Sequence, residues 1–401
     1  MKILFDHQIF FRNKFGGITK IFIIISRKLK TEDVLVFNSI DISNFENGEI
    51  RSIKTGKLIN HVPLFSFYYF FRIYLTFMRM LKRPLSNWIR LLESGLYRKS
   101  LQKNISKSEM MIKNIIKSES PDIFHVTYYD DYFFEFWKQV EIKPKLIVTI
   151  HDCLMERFPG YFGLENFVIK NRKYLCEMAD KIVCVSKFTR LELLKFYPDI
   201  DESKITVISN GGELSLSKSE DVLPFQSNYF LYIGNRSHYK NFSVVLDAFA
   251  KPDVNFNSLL ICAGSHSFTK EEFELIESKN LVGKIIHLPI RSENFLANLY
   301  SNAVGFVYPS IYEGFGIPIV EAMSLGCPVL CSDIPPFKEV AGNSAIYFNP
   351  HDPTELESAM IRLMKNENIR NKYKKLGLLQ SKNYTWENCA LEYKSLYESL
   401  T

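Results

Sequence analysis

The strongest structural signal in the sequence is Tyr308-Pro-Ser-Ile-Tyr-Glu-Gly-Phe-Gly-Ile-Pro-Ile-Val-Glu-Ala-Met323. The apolar run from Ala303 to Tyr308 predicts a short buried strand, which Pro309 ends. Two glycines then permit backbone angles that a Cβ would forbid, and Pro318 suits the first turn of a helix predicted over residues 319–325. Backbone N–H groups at a helix N-terminus attract phosphate, so the stretch predicts a site for a phosphorylated sugar.

Two carboxylates, Glu313 and Glu321, bracket this turn. A carboxylate repels phosphate, so the expected partners of these two side chains are sugar hydroxyls. A plain strand-to-helix turn with a capping Glu is the alternative. Such a turn does not need two glycines, a proline and two acids in this order, which favours the binding site.

The spacing Glu-x7-Glu resembles the signature of the retaining glycosyltransferases of family 4 (GT4). Those enzymes have the α/β fold called GT-B, in which two Rossmann-like domains face each other across a cleft. The resemblance implies that Glu313 lies against the donor sugar and that Glu321 binds the ribose of the nucleotide. It also implies that the donor diphosphate meets the backbone of Phe315, Gly316 and Ile317.

The rest of the chain fits a two-domain α/β protein, since 401 residues exceed what one core usually holds. Apolar runs alternate with helical patterns, which predicts parallel sheets. We predict an acceptor-binding domain over residues 1–209 and a nucleotide-sugar-binding domain over 210–384. The resemblance implies that a last helix, 385–401, packs back on the first domain. Trp386 would lie there, although burial alone explains this tryptophan equally well.

The predicted strands are Lys2–Phe5, Val34–Phe37, Ile123–Val126, Leu146–Ile150, Ile182–Val185 and Lys204–Ile208 in the first half, and Tyr229–Ile233, Ser258–Ala263, Ile285–Leu288, Ala303–Tyr308, Pro328–Cys331 and Ala345–Phe348 in the second.

A loop after the Tyr229–Ile233 strand carries two cations, Arg236 and Lys240, which could neutralise a diphosphate leaving group. The matching loop of GT4 enzymes carries an Arg and a Lys on the donor phosphates. Lys240-Asn241 matches the Lys-Asn of that loop, whereas Tyr239 stands where many members have Arg. Solvated surface side chains are the alternative.

Other strand ends carry further candidates. Gly17, the second glycine of a pair before a predicted helix, resembles the GT4 glycine that approaches the donor phosphate or the acceptor; a simple turn is the alternative. His151 ends a strand at the edge where open α/β sheets place ligands, and the family's histidine contacts the donor sugar. A core or loop-capping His151 is the alternative. Ser186 either touches phosphate or caps a helix, and His125 is interpreted as a core residue.

Several classes of site are not expected. The seven cysteines include no Cys-x2-Cys pair, which favours reduced thiols in a cytoplasm. Asp130-Asp131 lacks the Asp-x-Asp spacing of metal-dependent transferases, so we expect no metal and no cofactor besides the nucleotide sugar substrate. The N-terminus lacks the features of a signal peptide, and the longest apolar run, 62–71, is about ten residues where a membrane span needs roughly 20.

The net charge of +6 is unevenly distributed, because residues 51–120 carry fourteen Lys and Arg against three Glu and no Asp. Within this segment, residues 64–83 interleave cations with Phe and Tyr, which suits an anionic membrane surface. A buried helix pair whose cations reach solvent is the alternative. Nucleic acid is not an expected partner, because no RNA- or DNA-binding motif accompanies the segment.

The function expected from these features is that of a metal-independent retaining hexosyltransferase, cytoplasmic and peripheral at the inner face of the plasma membrane. It would move a hexose from a nucleotide diphosphate sugar to a hydroxyl of a lipid-linked glycan in O-antigen or capsule synthesis. The opening Phe5-Asp-His-Gln-Ile-Phe10 with Gly16-Gly17-Ile18 resembles O-antigen mannosyltransferases, which favours GDP-mannose. The expected catalytic residues are Glu313, His151, Lys240 and Arg236.

Two alternatives stay open. A nucleotide-sugar epimerase of similar fold would act on the free nucleotide sugar without an acceptor. A non-catalytic subunit of a glycan-assembly complex would keep the fold but would not need Glu313, Lys240 and Glu321 together.

Overall fold

A computed structural model describes residues 1–6, 8, 17–29, 33–36, 51–52, 109–160, 165–216, 223–236 and 238–401. By internal packing the chain divides into two compact units. One comprises Met1–Val148, Lys170–Lys181 and Tyr397–Thr401, and the other comprises Thr149–Ile169 and Ile182–Leu396. The predicted domain boundary between residues 209 and 210 stays a prediction.

Parallel strands form two sheets. The strands in the described residues are β1 (Lys2–Phe5), β2 (Asp33–Val36), β3 (Arg51–Ser52), β4 (Ile123–Val126), β5 (Lys145–Ile150), β6 (Lys181–Cys184), β7 (Ile205–Val207), β8 (Tyr229–Ile233), β9 (Leu259–Ala263), β10 (Ile285–Leu288), β11 (Gly305–Tyr308), β12 (Val329–Ser332) and β13 (Ala345–Phe348). The first sheet has the order β3-β2-β1-β4-β5-β6-β7, and the second has the order β10-β9-β8-β11-β12-β13. The predicted α/β fold with parallel sheets is confirmed.

Helices connect these strands. Those in the described residues are Gly17–Lys28, 109–119, Phe134–Trp137, Leu154–Arg157, Glu165–Met178, Lys187–Phe196, Phe242–Phe249, Pro252–Asn255, Lys270–Ser278, Glu293–Asn302, Ile317–Ser324, Pro335–Ala341, Pro353–Lys365, Glu367–Gln380 and Trp386–Glu398. None of the helices in this part of the chain is long and apolar enough to span a bilayer. The basic segment 64–83, on which the membrane prediction depends, lies outside the described residues.

The core of the second sheet has two layers, one on each face. Along a strand successive side chains point to opposite faces, so neighbouring apolar residues enter different layers. Leu231 packs with the layer that includes helices 293–302 and 317–324, while Phe230 packs with the layer that includes helices 242–249 and 353–365. Burial on both faces explains why these strands read as continuous apolar runs in the sequence.

The C-terminal helix begins after Thr385, whose hydroxyl accepts a hydrogen bond from Asn388 N at 3.1 Å. Thr385 therefore caps this helix. Trp386 is buried, and its backbone N–H donates to both carboxylate oxygens of Glu213, at 2.6 and 2.8 Å. Its backbone and ring lie so close to Gly211 that a Cβ at this glycine would come within 2.6 Å of them. Trp386 therefore packs against residues 211–213, which precede the second sheet in the chain.

His125 is a core residue, as predicted. It is fully buried at the end of β4, and its Nδ1 lies 2.8 Å from the hydroxyl of Tyr397. Rings of Phe5 and Phe22 lie against it, with centroids 5.5 and 5.3 Å away. These contacts account for His125 by packing alone.

A buried carboxylate, Asp6, joins the loop after β1 to the loop after β4. One oxygen accepts hydrogen bonds from Thr127 N at 2.9 Å and Thr127 Oγ1 at 2.6 Å. The other accepts from Gln8 Nε2 at 2.6 Å and from the Tyr132 hydroxyl at 3.1 Å. Burial raises the pKa of Asp6 to about 6, although these hydrogen bonds lower it. The folded protein therefore binds a proton at Asp6 more tightly than an exposed aspartate would.

Candidate active site

The candidate site lies at the carboxyl edge of the second sheet, between β8 and β11. These strands pair with each other, but the chain runs outward from them in opposite directions, through β9 and β10 on one side and β12 and β13 on the other. Such a reversal of strand order leaves a crevice between the loops that follow the two strands, and ligands of open α/β sheets bind there. The loops are residues 234–241 after β8 and 309–316 after β11.

Gly314 is required by a close approach of two backbones. A Cβ at this position would lie 1.7 Å from the carbonyl oxygen of His151, so no other residue fits without a shift of the chain. The carbonyl of Gly314 accepts hydrogen bonds from Ser186 Oγ at 2.6 Å and Thr189 Oγ1 at 3.0 Å. The turn is thereby fixed against residues 151 and 186–189.

Gly316 ends the turn with a left-handed backbone, at φ 106° and ψ 54°, and forms the N-cap of helix Ile317–Ser324. The helix begins two residues earlier than predicted, because this conformation reverses the chain directly into the first helical turn. Pro318 lies in that turn, as predicted. Phe315 is buried against the ring of Tyr384, 5.6 Å away, so its side chain packs and only its backbone is available to a ligand.

Lys240, Tyr308 and Glu313 form a compact cluster at this edge. The Lys240 ammonium forms an ion pair with Oε1 of Glu313, and the two side chains are only 16% and 15% exposed. Lys240 Nζ also donates to the Tyr308 hydroxyl at 3.3 Å, and that hydroxyl donates to the same Glu313 oxygen at 2.9 Å. The structure thus brings together Lys240 and Glu313, two of the predicted site residues that are 73 positions apart.

The Lys240 side chain is also flanked by aromatic rings. Its ammonium lies 5.0 Å from the ring centroid of Tyr239 and 5.3 Å from that of Tyr308. Asn241, with a left-handed φ of 53°, donates from Nδ2 to the carbonyls of Pro309 at 3.2 Å and Pro350 at 2.6 Å. On the other side of Lys240, the Tyr239 carbonyl accepts a hydrogen bond from Ile311 N at 2.8 Å. The loop after β8 is therefore tied to the loop after β11 on both sides of Lys240.

Glu321 is buried one turn into helix 317–324. Its Oε2 accepts a hydrogen bond from the hydroxyl of Tyr300 at 3.0 Å. Burial and the nearby Glu321 carboxylate raise the pKa of Tyr300, so this phenol stays protonated and remains a donor. Tyr300 therefore fixes the orientation of the second acid of the Glu-x7-Glu motif.

Arg236 makes a different set of contacts from the one expected. Its side chain is fully buried, and Nε and Nη2 donate to the two oxygens of Glu272 at 2.9 and 3.1 Å. Nη2 also reaches the carbonyls of His266 at 2.7 Å and Ser267 at 3.2 Å. Within the described residues, no hydrogen bond joins Arg236 to Lys240 or Glu313. The structure shows a clamp between two loops, and a contact of Arg236 with the donor stays a prediction.

His151 lies beside the site through its backbone. Its carbonyl meets Gly314, and the next residues continue the contact, since Cys153 N donates to the hydroxyl of Tyr312 at 3.2 Å. The side chain of His151 is nine-tenths buried. Its predicted contact with the donor sugar stays a prediction, as does the role of Gly17, which begins helix Gly17–Lys28.

Ser186 caps a helix. Its hydroxyl accepts from Thr189 N at 2.9 Å at the start of helix Lys187–Phe196 and donates to Gly314 as described above. Of the two predicted roles for Ser186, capping is the one that the structure shows.

Three tyrosines of the site, at positions 239, 300 and 308, are not identified by the sequence interpretation. Tyr300 and Tyr308 lie in apolar runs, where an aromatic residue predicts a core position. The sequence contains a signal for two of them. Tyr308 is the last residue of a strand, next to the turn, and Tyr239 precedes Lys240 at the position where many GT4 members have Arg. Among the described residues, no group of three or more His, Cys, Asp and Glu side chains is arranged to hold a metal ion.

Two family models match the chain. The model described as Glycosyl transferases group 1 matches residues 217–378, and the model described as Glycosyltransferase Family 4 matches residues 94–216. The chain is 28% identical to O-antigen chain mannosyltransferase B of Escherichia coli over 64% of its length and 71% of that protein. It is 33% identical to O-antigen chain mannosyltransferase RfbU of Salmonella typhimurium over 53% of its length and 59% of that protein.

Solved glycosyltransferase structures share the fold at low sequence identity. Sucrose-phosphate synthase from Thermosynechococcus elongatus has a TM-score of 0.74 at 18% identity, with 100% of this chain and 99% of that one covered. WaaG, a glycosyltransferase involved in lipopolysaccharide biosynthesis, has a TM-score of 0.63 at 14% identity, with 99% of each chain covered. The two parallel sheets and these solved structures show that the chain has the GT-B fold. The two family models, which together match residues 94–378, show that it belongs to the glycosyltransferases of group 1 and family 4.

Proposed function

We propose that this chain is a retaining hexosyltransferase that takes a hexose from a nucleotide diphosphate sugar and transfers it to a hydroxyl of a lipid-linked glycan. The observation that carries the proposal is the Lys240–Tyr308–Glu313 cluster beside the N-terminus of helix Ile317–Ser324. A cation and a helix N-terminus suit a diphosphate, while a carboxylate next to them suits the sugar hydroxyls.

In the proposed mechanism each residue has one task. Lys240 and the first turn of helix 317–324 bind the diphosphate and stabilise its negative charge as the glycosidic bond breaks. Glu313 positions the sugar and stabilises positive charge near its anomeric carbon. Glu321 binds the ribose. The acceptor hydroxyl attacks from the face of the leaving diphosphate, which takes the proton, so that the configuration is retained.

The proposed donor is GDP-mannose, and the proposed process is synthesis of an O-antigen or capsule. Support comes from the relatives, since both of those named above are O-antigen chain mannosyltransferases. The resemblance of residues 5–18 to such enzymes points the same way. A solved structure of the same fold, HepE from Anabaena, is in complex with UDP-glucose, so a uracil nucleotide is the alternative to test.

The two other hypotheses are less well supported. An epimerase has no use for an acceptor, and both family models describe glycosyltransferases. A non-catalytic subunit would not need an ion pair held within the site and a second buried acid on the adjacent helix.

The deciding experiment is a thermal-shift screen of the purified protein with GDP, UDP and their sugar conjugates, followed by a transfer assay. A ligand present at 100 times its dissociation constant adds about 2.7 kcal/mol to the free energy of unfolding. We expect GDP-mannose to stabilise the protein and mannose to appear on a lipid-linked acceptor, at the same rate with and without EDTA.

Three outcomes would contradict parts of this proposal. Stabilisation by no nucleotide at all would overturn the transferase. Conversion of the donor sugar without an acceptor would support the epimerase. A rate lost in EDTA and restored by Mn²⁺ or Mg²⁺ would overturn the metal-independent mechanism.

A further inference from the structure

Tyr308 connects the two charged side chains of the site. It is the last residue of β11, so its side chain reaches the carboxyl edge where that strand meets β8. Its hydroxyl donates to Oε1 of Glu313 at 2.9 Å and accepts from Lys240 Nζ at 3.3 Å. The same Glu313 oxygen also pairs with Lys240. One phenol therefore contacts both charges.

The ring of Tyr308 is held in one place. It is 96% buried and stacks between Phe337 and Phe306, with centroids 4.9 and 5.5 Å away and planes 25° and 28° apart. A ring packed on both faces cannot swing toward another partner, so the direction of its hydroxyl is fixed by the core of the second sheet.

The direction of the hydrogen bonds is also fixed. Burial raises the pKa of Tyr308, and the Glu313 carboxylate raises it further, so the phenol keeps its proton. A carboxylate only accepts and an ammonium only donates. Tyr308 must therefore donate to Glu313 and accept from Lys240.

These contacts distinguish the two oxygens of Glu313. Oε1 is engaged by both Lys240 and Tyr308, whereas Oε2 accepts no hydrogen bond from any residue that the structure describes. The Glu313 side chain keeps 15% of its surface exposed. Oε2 is therefore the oxygen that a ligand can reach.

We propose that Tyr308 is a positioning residue, which holds Oε1 of Glu313 so that Oε2 faces the hydroxyls of the donor sugar. In this structure Lys240 shares this task. Once a diphosphate takes the ammonium, Tyr308 is the remaining described contact that keeps Glu313 in place. The proposal rests on the proposed transferase function, because it assigns Glu313 to the donor sugar.

The test removes one oxygen atom, with Tyr308→Phe. We expect kcat to fall on the order of 10- to 100-fold, as for the loss of a hydrogen bond to a charged group. The affinity for the nucleoside diphosphate without sugar should stay within about twofold, because neither Lys240 nor helix 317–324 is changed. Tyr229→Phe is the matched control: its phenol is equally buried, but it donates to the carbonyl of Leu299 at 2.7 Å, at the start of β8 and away from the site.

A double-mutant cycle with Glu313→Gln separates positioning from a general structural effect. If Tyr308 acts through Glu313, then Tyr308→Phe should change kcat little in the Glu313→Gln background, whereas independent effects would add. Additive losses, or a kcat of Tyr308→Phe equal to that of the wild type, would overturn the positioning role of Tyr308 but not the proposed transferase function. A wild-type protein that binds no nucleotide sugar would overturn both, which identifies the failure of the proposed function itself.

Discussion

The Lys240 side chain has two competing partners, since the ammonium that would bind a diphosphate forms an ion pair with Glu313. A diphosphate carries more negative charge than one carboxylate, so it can compete for the ammonium. The cation-π contacts with Tyr239 and Tyr308 keep Lys240 at the site during such an exchange.

Lys240→Ala should therefore lower turnover by at least about tenfold, or about 1.4 kcal/mol of transition-state stabilisation. Initial rates at saturating donor measure this effect. Lys338→Ala is the matched control, because Lys338 also pairs with an acid, Asp333, but on the surface, where the side chains are 57% and 45% exposed. A rate for Lys240→Ala that equals the rate of this control would remove Lys240 from the mechanism.

The two acids of the Glu-x7-Glu motif should differ in what their loss changes. Glu321 is held by Tyr300 on the helix, and Glu313 is held by Tyr308 and Lys240 on the turn. Glu321→Gln should chiefly weaken nucleotide binding, whereas Glu313→Gln should chiefly reduce turnover. Titration calorimetry with the nucleoside diphosphate and steady-state kinetics measure the two effects. Equal affinities and equal rates in both variants would contradict this division of tasks.

At the scale of secondary-structure elements, the strands could be predicted from the sequence because strands buried on both faces are continuous apolar runs. β1, β4, β8, β10 and β13 have the predicted bounds. β3 is not predicted by the sequence, because Arg51–Ser52 is a pair of polar residues without an apolar pattern. These residues form a strand only through their pairing with β2.

Side-chain directions in the site loop could not be predicted in the same way. Arg236 and Lys240 are four positions apart, and this spacing suggested a shared ligand. His238 and Asn241 have positive φ values of 48° and 53°, so the chain turns sharply between and after the two cations. Arg236 consequently meets Glu272, and Lys240 meets Glu313. These turns cannot be predicted from composition and spacing, because neither His238 nor Asn241 is a glycine.

The loops after β1 and β4 give a prediction about pH. The pKa of Asp6 is raised by burial from 3.8 to about 6, which corresponds to about 3 kcal/mol. Because the folded state holds this proton more tightly, the contribution to stability is fully present below pH ~4 and is lost as the pH rises through about 6. The phenol of Tyr132, which faces Asp6, has a raised pKa through burial and does not titrate in this range.

Asp6→Asn removes the titration and keeps the acceptor for Thr127. The free energy of unfolding of the wild type minus that of Asp6→Asn should therefore decrease by about 2.5 kcal/mol between pH 4 and pH 7.5. Urea unfolding of both proteins at the two pH values measures it. A difference that is the same at both pH values would show that Asp6 ionises in the folded protein as readily as in the unfolded chain.

At the scale of the whole molecule, charge is segregated along the chain. Residues 51–120 carry an excess of eleven positive charges in a chain with a net charge of +6, so the remainder is net acidic. A lipid-linked acceptor would bring the enzyme to an anionic surface, where each Lys or Arg contributes roughly 1 kcal/mol. We therefore keep the prediction that residues 64–83 bind such a membrane.

Vesicles that contain anionic lipid should sediment the protein, and neutral vesicles should not. Salt should weaken the binding, because the Debye length falls from about 10 Å at 0.1 M to 3 Å at 1 M. Serine at Arg72, Arg79, Lys82 and Arg83 should abolish sedimentation but leave nucleotide binding intact. Serine at Lys372, Lys374, Lys375 and Lys382, four exposed lysines of the second unit, removes the same charge and should leave sedimentation unchanged. Equal binding to neutral vesicles, or equal losses in both quadruple variants, would contradict a membrane-binding role for residues 64–83.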